Sequence, residues 1–339
     1  MHVLVIKTSS LGDVIHTLPA LTDAHHHYPQ LQCDWVVEQD FAEIPAWHPA
    51  VKKVIPVALR HWRKQIWQTW STGTWQQFKH ALTEHHYDLV IDAQGLIKSA
   101  WLTYQSKGLR CGFDKDSIRE PLAILAYQKR YAVAKSHHAI TRLRQLFAAI
   151  LNYPLPSTPP DYGIAAHFPR ILSKNVIFLY GTTWPTKRWP PSYWKELAQR
   201  FVAQGYTLRL PWGNEGEYRF AQQLATLHPA IHLIPHGNLQ QLAQELSQAC
   251  LVVGVDTGLA HLAAALMVPS ITLYGATHPT LTGTYGIHQF HFLTQFPCSP
   301  CLKRKCTYQE KTVVTPSCYE YLSVDKVWDK VQNFLNLRS

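Results

Sequence analysis

The chain has 339 residues, which exceeds the roughly 250–300 residues at which a single hydrophobic core stops growing, so two domains are expected. Hydrophobic residues make up 46% of the sequence and charged residues 16%, which excludes a disordered chain. Lys and Arg exceed Asp and Glu by 32 − 22 = 10, so we expect an anionic partner, either a nucleic acid, an acidic membrane or a phosphorylated or carboxylated substrate.

Location is also constrained by composition. The sequence has no run of eighteen apolar residues and no recognisable secretion signal, so a transmembrane helix and export are not expected. The cysteines number seven, and an odd count without a secretion signal argues against a disulfide framework. We therefore expect a cytosolic protein.

The N-terminal stretch predicts a strand, a polar turn and a helix. Val3–Ile6 is a short β-branched run typical of a buried parallel strand, and Ser9, Ser10, Gly12 and Asp13 follow it at the start of an amphipathic helix. Ligands bind at the carboxyl ends of such strands, which places Asp13 at the edge of a functional site. The alternative is that Ser10 or Asp13 serves only as a helix cap.

The rest of the first half combines short strands with basic loops. We predict strands at Cys33–Glu38, Val54–Val57 and Tyr87–Asp92, and a helix that ends at Leu151. Residues Arg60–Lys79 interleave basic side chains with four tryptophans, which suits either an anionic membrane surface or a helix that uses Trp as core. The basic residues of these loops predict a shared electropositive cleft, unless they are scattered solvated charges.

A proline-rich segment divides the sequence near its middle. Residues Tyr153–Pro169 contain five of the 22 prolines and show little periodicity, which is typical of a linker. We therefore predict an N-terminal domain over residues 1–165, a C-terminal domain over 170–322 and a terminal helix within 323–339.

The second half repeats the α/β pattern. Predicted strands lie at Asn175–Tyr180, Tyr206–Leu210, Ile231–Ile234, Cys250–Val255 and Ser270–Tyr274. A helix is expected after the first of these, with Ser192 as its N-cap.

Three strand-end loops of this half carry candidate ligand-binding residues. Thr182, Thr183 and Lys187 suit a phosphate, and Asp256–His261 opens a helix whose free N–H groups suit a diphosphate. Glu215 is placed to accept hydrogen bonds from ribose hydroxyls. Each loop alone also fits a simpler interpretation as caps, a core histidine and a surface lysine. Neither half contains GxGxxG, which argues against a dinucleotide dehydrogenase.

Four sets of residues resemble the motifs of the lipopolysaccharide heptosyltransferases, and together they cover nearly the whole chain. They are Lys7–Leu21, Gly181–Thr183 with Lys187–Pro190, Leu210–Glu215, and Asp256–Ala265 with Leu273–Thr277. The first set and Ser117–Ala123 look closest to the type I members, which add the first heptose to the Kdo sugars of lipid A.

The resemblance implies an α/β protein with two Rossmann-like domains facing a cleft, the B-type glycosyltransferase fold. It implies ADP-heptose as donor, Kdo-lipid A as acceptor, inversion at the anomeric carbon, no required cofactor or metal, and no nucleic-acid partner. A location on the cytoplasmic face of the inner membrane, at its anionic surface, is also implied.

The resemblance also assigns roles by position. Asp13 is the expected general base, and Lys187 is the expected stabiliser of the departing ADP. The residues expected to bind the donor are Thr182, Thr183, Lys187, Glu215, Asp256, Thr257, Gly258, Leu259 and His261. The residues expected to bind the acceptor are Ser9, Ser10, Gly12, Arg60, Arg63, Lys64, Arg119, His138 and Arg142.

Two alternatives remain open at this point. One is a type II heptosyltransferase that adds the second heptose, and the other is a non-catalytic nucleotide- or nucleic-acid-binding protein that uses the basic, Trp-rich region. The latter predicts strongly salt-dependent binding to nucleic acid.

Cysteines cluster near the C-terminus. Cys298, Cys301, Cys306 and Cys318 are separated by two, four and eleven residues, a spacing that suits a structural zinc site in part. The alternative is a basic loop near the membrane or the donor, because Lys303–Lys305 lies between them.

Overall fold

The computed structural model describes residues 1–64, 73–171, 173–310 and 312–336, without the side chains of Arg60, Arg63, Lys64 and Asn336. The chain divides into two compact units, Met1–His167 and Phe168–Ser339. Each unit has its own sheet, as expected for a chain too long for a single core.

The first unit is a parallel sheet of six strands within the described residues, in the order β3-β2-β1-β4-β5-β6. Its strands are β1 His2–Ile6, β2 Gln32–Glu38, β3 Val51–Val57, β4 Tyr87–Asp92, β5 Gly108–Phe113 and β6 Lys129–Tyr131. Its helices are α1 Leu11–Ile15, α2 Leu18–His27, α3 Glu43–Ala46, α4 Leu59–Lys64, α5 Thr74–Thr83, α6 Ile97–Gln105 and α7 Ala139–Leu151.

The second unit repeats this design, again with six parallel strands among the described residues, in the order β12-β11-β10-β7-β8-β9. Its strands are β7 Asn175–Leu179, β8 Thr207–Leu210, β9 Ile231–Leu233, β10 Leu251–Val255, β11 Ser270–Tyr274 and β12 Gln289–Leu293. Its helices are α8 Pro191–Ala203, α9 Glu215–Ala225, α10 Leu239–Ser247, α11 Gly258–Ala265, α12 Pro279–Thr282 and α13 Val324–Asn336.

Each sheet is buried at its centre, which is why its central strands read as continuous apolar runs. Val3–Ile6 of β1 and all of β10 are buried. In the second unit, the C-terminal helix α13 contributes Val327, Val331 and Phe334 to the same core as the strands. Burial of these side chains gives the helix its stability, since hydrophobic contact is the main favourable term in folding.

The helix after β7 begins earlier than the sequence predicts. Pro190 is its N-cap and Pro191 its first residue, so Ser192 lies inside the helix and the prediction of Ser192 as N-cap is wrong. Proline is favoured at the first helical position because its missing N–H would have no partner there.

A buried ion pair connects two helices of the first unit. Arg144 of α7 binds Asp23 of α2 through Nε and Nη2, at 2.5 and 3.1 Å, and also donates to the carbonyls of Pro156 and Thr158. Arg144, one of several basic residues in this part of the sequence, is therefore a structural residue.

Candidate active site

Asp13 lies in the first turn of α1. Its Oδ2 accepts hydrogen bonds from the backbone N–H and the hydroxyl of Ser10, both at 2.8 Å. Ser10 is the N-cap of α1, with an extended backbone. Ser10 and Asp13 therefore form a capping box at the start of α1, and the same hydrogen bonds fix the half-buried carboxylate near the carboxyl end of β1.

Side chains that follow the neighbouring strand β4 hold this loop in place. Thr8 donates to Gln94 Oε1 from its N–H at 2.7 Å and from its hydroxyl at 2.8 Å. Gln94 Nε2 donates to the carbonyl of Ser9 at 3.1 Å, and Lys98 Nζ lies 2.8 Å from Ser9 Oγ. Sequence reasoning missed Gln94 and Lys98, although they follow a predicted strand that is adjacent to β1.

The loop after β4 is itself held by a buried carboxylate. Asp92 accepts from the N–H groups of Gln94 and Gly95 at 2.8 and 3.0 Å, and from the hydroxyl of Tyr127 at 2.6 Å. Burial raises the pKa of Asp92, while these hydrogen bonds oppose the rise. Asp92 therefore supports the site indirectly, by orienting Gln94.

Lys7 adds a buried cation beside Asp13. Its ammonium donates to the carbonyl of Ala93 at 2.9 Å, and its side chain is 7% exposed. Burial lowers the pKa of Lys7, the negative charges of Asp13 and Asp92 raise it, and the positive charge of Arg142 lowers it. The charges of Asp13, Asp92 and Arg142 are therefore close enough to Lys7 to shift its pKa. The sequence analysis assigned no role to Lys7.

All of the predicted acceptor-binding residues belong to the first unit, and three of them lie in its later loops and helix α7. Arg142 donates to the carbonyl of Ser117 at 2.5 Å, and its guanidinium lies 5.0 Å from the centre of the Phe113 ring. Arg119 is exposed just beyond Ser117. His138 caps α7 by accepting the N–H of Ile140 at 3.2 Å.

The basic, Trp-rich segment is partly outside the described residues. This holds for the side chains of Arg60, Arg63 and Lys64 and for residues 65–72, so their predicted roles stay predictions. Trp62 and Trp75 pack on Phe78, with ring centres 5.3 and 5.6 Å from it, beside the core of the first unit. The core interpretation is therefore correct for these two tryptophans.

In the second unit, Lys187 and Asp256 meet across the ends of β7 and β10, which are neighbours in the sheet. Lys187 Nζ lies 2.7 Å from Asp256 Oδ2, and the hydroxyl of Thr277 donates to the same oxygen at 2.7 Å. His261 Nε2 lies 3.9 Å from Asp256 Oδ1. The structure therefore brings three predicted donor-binding residues together, and adds Thr277.

Asp256 is held ionised by these partners. Burial raises the pKa of its carboxyl, but the charges of Lys187 and His261 and the hydrogen bonds from Lys187 and Thr277 outweigh burial and lower the pKa below its usual value. A negatively charged carboxylate, that of Asp256, thus lies beside Lys187 at the carboxyl end of β10.

Backbone N–H groups of α11 lie next to this pair. Thr257 is the N-cap of the helix, and Gly258 and Leu259 form its partly exposed first turn. The first N–H groups of a helix have no intrahelical partner and favour an anion. On the neighbouring loop Thr182 is buried and Thr183 is exposed.

The two glutamates that follow Gly213 have different surroundings. Glu215 is exposed and pairs with Arg219 at 2.9 Å, so the structure does not bring it to the other donor-binding residues. Glu217 instead folds back over the start of α9, where its Oε2 accepts the N–H of Gly213 at 2.8 Å. A Cβ at Gly181 would lie 2.5 Å from Glu217 Oε1, so the Glu217 carboxylate packs directly against the backbone of the β7 loop and would have to move for any larger residue.

A cavity of about 550 Å³ lies against the same loop. Its wall includes Gly181, Arg188, Trp194, Glu217, Phe220 and Lys305. Among the described residues, the buried indole N–H of Trp194 has no hydrogen-bond acceptor.

The cysteines of the C-terminal loop are not assembled as metal ligands. Cys298 and Cys306 are exposed, whereas Cys318 is buried, where burial and then the three other cysteines raise its pKa to about 12. No group of three or more His, Cys, Asp or Glu in the described ranges is arranged to hold a metal ion. The zinc hypothesis therefore stays a prediction.

The basic loop between these cysteines packs on the loop that carries Lys187. Thr186 donates to the carbonyl of Lys303 at 2.5 Å, and the ring of Trp184 has Lys187 Nζ at 4.9 Å and the Arg304 guanidinium at 5.7 Å from its centre. The basic loop therefore lies beside Lys187, one of the residues predicted to bind the donor.

These features define a class: glycosyltransferases with two Rossmann-like domains, known as the B-type fold. The sequence profile described as Glycosyltransferase family 9 (heptosyltransferase) matches residues 75–312, and the chain belongs to this family.

Individual relatives agree with that assignment. Lipopolysaccharide heptosyltransferase 1 of Pseudomonas aeruginosa is 54% identical over 91% of this chain and 88% of its own length. The protein of the same name from Escherichia coli K12 is 47% identical over 85% of this chain and 92% of its own length. The solved structure of "E. coli heptosyltransferase WaaC with ADP" matches with a TM-score of 0.89 at 41% identity, covering 98% of this chain and all of that one.

The relatives also separate the two heptosyltransferase types. Lipopolysaccharide heptosyltransferase 2 of Salmonella typhimurium is 23% identical, less than half the identity of the two type 1 proteins named above. The prediction of a type I heptosyltransferase is confirmed, and the type II alternative is not supported. In the described ranges no helix has the length and apolar character needed to cross a bilayer.

Proposed function

We propose that this protein transfers L-glycero-D-manno-heptose from ADP-heptose to a Kdo hydroxyl of Kdo-lipid A, with inversion at the anomeric carbon. The observation that carries the proposal is the presence of two complementary sites, one on each unit. The first presents the carboxylate of Asp13 among cations, and the second presents the Lys187–Asp256 pair beside a helix N-terminus.

Asp13 is the proposed general base. In a single displacement the acceptor oxygen attacks C1 of the heptose as the bond from C1 to the ADP oxygen breaks, and the proton of the attacking hydroxyl must be removed. Asp13 is anchored through Oδ2 to Ser10, so its carboxylate is oriented before the substrate arrives. A positioned base contributes about 10²–10⁴ to the rate of such a transfer.

The second unit is proposed to bind the donor. Support comes from the solved structure of "E. coli heptosyltransferase WaaC with ADP-2-deoxy-2-fluoro heptose", which matches this chain with a TM-score of 0.86 at 40% identity. The diphosphate would lie on the N–H groups of Gly258 and Leu259 with Thr182 and Thr183 beside it. Asp256 and His261 would hold heptose hydroxyls.

Glu217 is proposed as the acid that accepts hydrogen bonds from ribose hydroxyls, in place of Glu215. Its carboxylate lies against Gly181 at the end of β7, whereas the carboxylate of Glu215 is occupied by Arg219 in solvent. Acids at this position after a parallel strand bind ribose in other dinucleotide folds.

Lys187 is proposed to stabilise the negative charge that grows on ADP as it leaves. An ammonium is a point charge with three donors, so it can keep one hydrogen bond to Asp256 while it binds a phosphate oxygen. Fixed charges of this kind act at the developing charge of the transition state, and we propose that no metal cofactor is needed.

The acceptor is proposed to bind the first unit. Its carboxylates and phosphates would meet Arg119, His138 and Arg142, together with Arg60, Arg63 and Lys64, while Ser9, Ser10 and Gly12 shape the wall beside Asp13. We propose that the protein works at the anionic cytoplasmic face of the inner membrane, where such a lipid acceptor is embedded.

The test is the release of ADP from ADP-heptose with and without Kdo₂-lipid A, in wild type and Asp13→Asn. We expect acceptor-dependent release that falls by about 10²–10⁴-fold in the variant, with unchanged donor affinity. Asp40→Asn, at an exposed acid of the same unit, is the matched control. Equal release in Asp13→Asn and wild type would refute the role of Asp13, and release with heptosyl-Kdo₂-lipid A alone would refute the acceptor.

A further inference from the structure

Helix α6 of the first unit has two different faces. Its buried face carries Ser99, Ala100, Leu102 and Thr103. On the other face lie Ile97, Trp101 and Tyr104, which are 52%, 43% and 61% exposed. These three positions are four and three residues apart, so they form one stripe along the helix.

The short 3₁₀ segment Pro121–Ala126 packs beside α6 and extends the stripe. Its Leu122 and Leu125 are 67% and 75% exposed, while Ala123 and Ala126 face inward. We call Ile97, Trp101, Tyr104, Leu122 and Leu125 the apolar patch. Single exposed apolar residues are ordinary, but a contiguous group of this kind marks an interaction surface.

Cations border the apolar patch. The guanidinium of Arg110 lies 5.1 Å from the centre of the Tyr104 ring, Lys98 follows Ile97 in the chain, and exposed Arg119 precedes Leu122. The acid of this region is Glu120, whose carboxylate accepts the N–H of Ile97 at 2.6 Å and so caps α6.

This composition favours a bilayer over a second copy of the chain. Aromatic rings lie at headgroup depth, aliphatic side chains enter the acyl region, and Lys and Arg meet lipid phosphates. Two copies that joined through this surface would bring like charges together, which is unfavourable.

The apolar patch is also joined to the candidate active site. Lys98, adjacent to Ile97, contacts Ser9 Oγ at 2.8 Å in the loop that leads to Asp13. The stripe from Ile97 to Tyr104 runs about 10 Å along the helix from there, at about 1.5 Å per residue. An amphiphilic acceptor could thus keep its sugars at Asp13 while its acyl chains remain in a bilayer.

We propose that the apolar patch is the surface through which this protein docks on an anionic phospholipid bilayer. The proposal rests on the proposed function, since a lipid acceptor gives the docking its purpose. It names helix α6 and the segment Pro121–Ala126 as the contact.

The test is binding of the intact protein to vesicles without donor or acceptor, so its outcome does not depend on the reaction. The variant is Leu122→Ser with Leu125→Ser, at two exposed positions. The matched control is Ile287→Ser with Val313→Ser in the second unit, where the side chains are 73% and 86% exposed. The vesicles are phosphatidylethanolamine with phosphatidylglycerol, or phosphatidylcholine alone.

We expect the wild type and the control to bind the anionic vesicles, and the Leu122/Leu125 variant to bind at least about tenfold more weakly. Added salt should weaken the wild-type binding. Equal binding of variant and wild type would overturn the proposal, as would equal loss in the control. A wild-type dimer that dissociates in the variant would assign the surface to a second copy.

Turnover then separates docking from catalysis. The Leu122/Leu125 variant should keep its kcat/KM on an acceptor without acyl chains and lose it on acceptor embedded in vesicles. Equal loss on both acceptors would overturn the proposal by pointing to damage at the active site.

Discussion

Two ion pairs, one buried in the first unit and one partly buried in the second, differ in how completely the donors of the cation are used. Arg144 donates two hydrogen bonds to Asp23 and two more to the backbone carbonyls of Pro156 and Thr158. Lys187 reaches Asp256 through one hydrogen bond at 2.7 Å, beside the first turn of a helix. A guanidinium bonded at all three nitrogens fixes structure, whereas an ammonium with spare donors can also bind a substrate.

Arg144→Met is expected to have the largest effect on stability. The variant leaves Asp23 buried without its partner, and loss of one member of a buried pair costs about 3–5 kcal/mol. Urea unfolding should show this loss, while turnover per folded molecule stays near that of wild type. A stable but inactive variant would instead place Arg144 in the reaction.

Lys187→Met is expected to behave in the opposite way. Removal of one fixed donor to a developing charge costs about 10²–10³-fold in rate. We expect kcat to fall by this amount and donor affinity to weaken in the ADP-release assay. Lys174→Met, at an exposed lysine just before β7, is the control. A normal rate in Lys187→Met would refute its role.

The pH dependence of stability tests how strongly Lys187 stabilises the ionised form of Asp256. The folded-state pKa of Asp256 is lowered, so ionised Asp256 stabilises the fold above its unfolded pKa of about 3.9. That contribution is lost as pH falls through the folded pKa. In Lys187→Met, burial acts with less opposition and the folded-state pKa of Asp256 rises, so acidification should remove less urea stability from the variant than from wild type. Identical acid limbs for wild type and variant would contradict this.

The smallest expected effect separates two buried tryptophans of the second unit. Trp189 Nε1 donates to the carbonyl of Leu322 at 2.9 Å, whereas Trp194 Nε1 has no acceptor in the described ranges. Trp189→Phe leaves a carbonyl unpaired and should cost about 1–3 kcal/mol more in unfolding free energy than Trp194→Phe. Equal losses would mean that the Trp189 hydrogen bond contributes little.

Central strands were predictable because their signal is strong. Val3–Ile6 and Leu251–Val255 are buried apolar runs that the sequence identifies as parallel strands. Because ligands bind at the carboxyl ends of such strands, the sequence also predicts that Asp13 and Asp256 lie near a site. The strands Gly108–Phe113, Lys129–Tyr131 and Gln289–Leu293 were not predicted, because each is partly exposed and lacks a continuous apolar run.

The choice between Glu215 and Glu217 shows where motif reasoning stops. Both residues follow Gly213, and only the position at which α9 begins determines which carboxylate accepts a hydrogen bond from the N–H of Gly213. Asn214 caps this helix by accepting the N–H of Glu217 at 3.0 Å, and a cap with Glu three positions later is a recognised signature. That spacing is visible in the sequence and could have identified Glu217. The contacts of Gln94 and Lys98 with the Ser9 loop depend on strand order, which the sequence does not state.

The fluorescence of Trp184 can report on the site around Lys187 and Asp256 in the second unit. The ammonium of Lys187 lies 4.9 Å and the guanidinium of Arg304 lies 5.7 Å from the centre of the Trp184 ring. Because an excited indole has a large dipole, movement of either cation toward a bound phosphate changes the field at the ring and hence its emission wavelength. Eleven other tryptophans contribute background, so the difference spectrum between wild type and Trp184→Phe isolates the signal. The loop that carries Lys187 therefore has a built-in fluorophore for following nucleotide binding in real time.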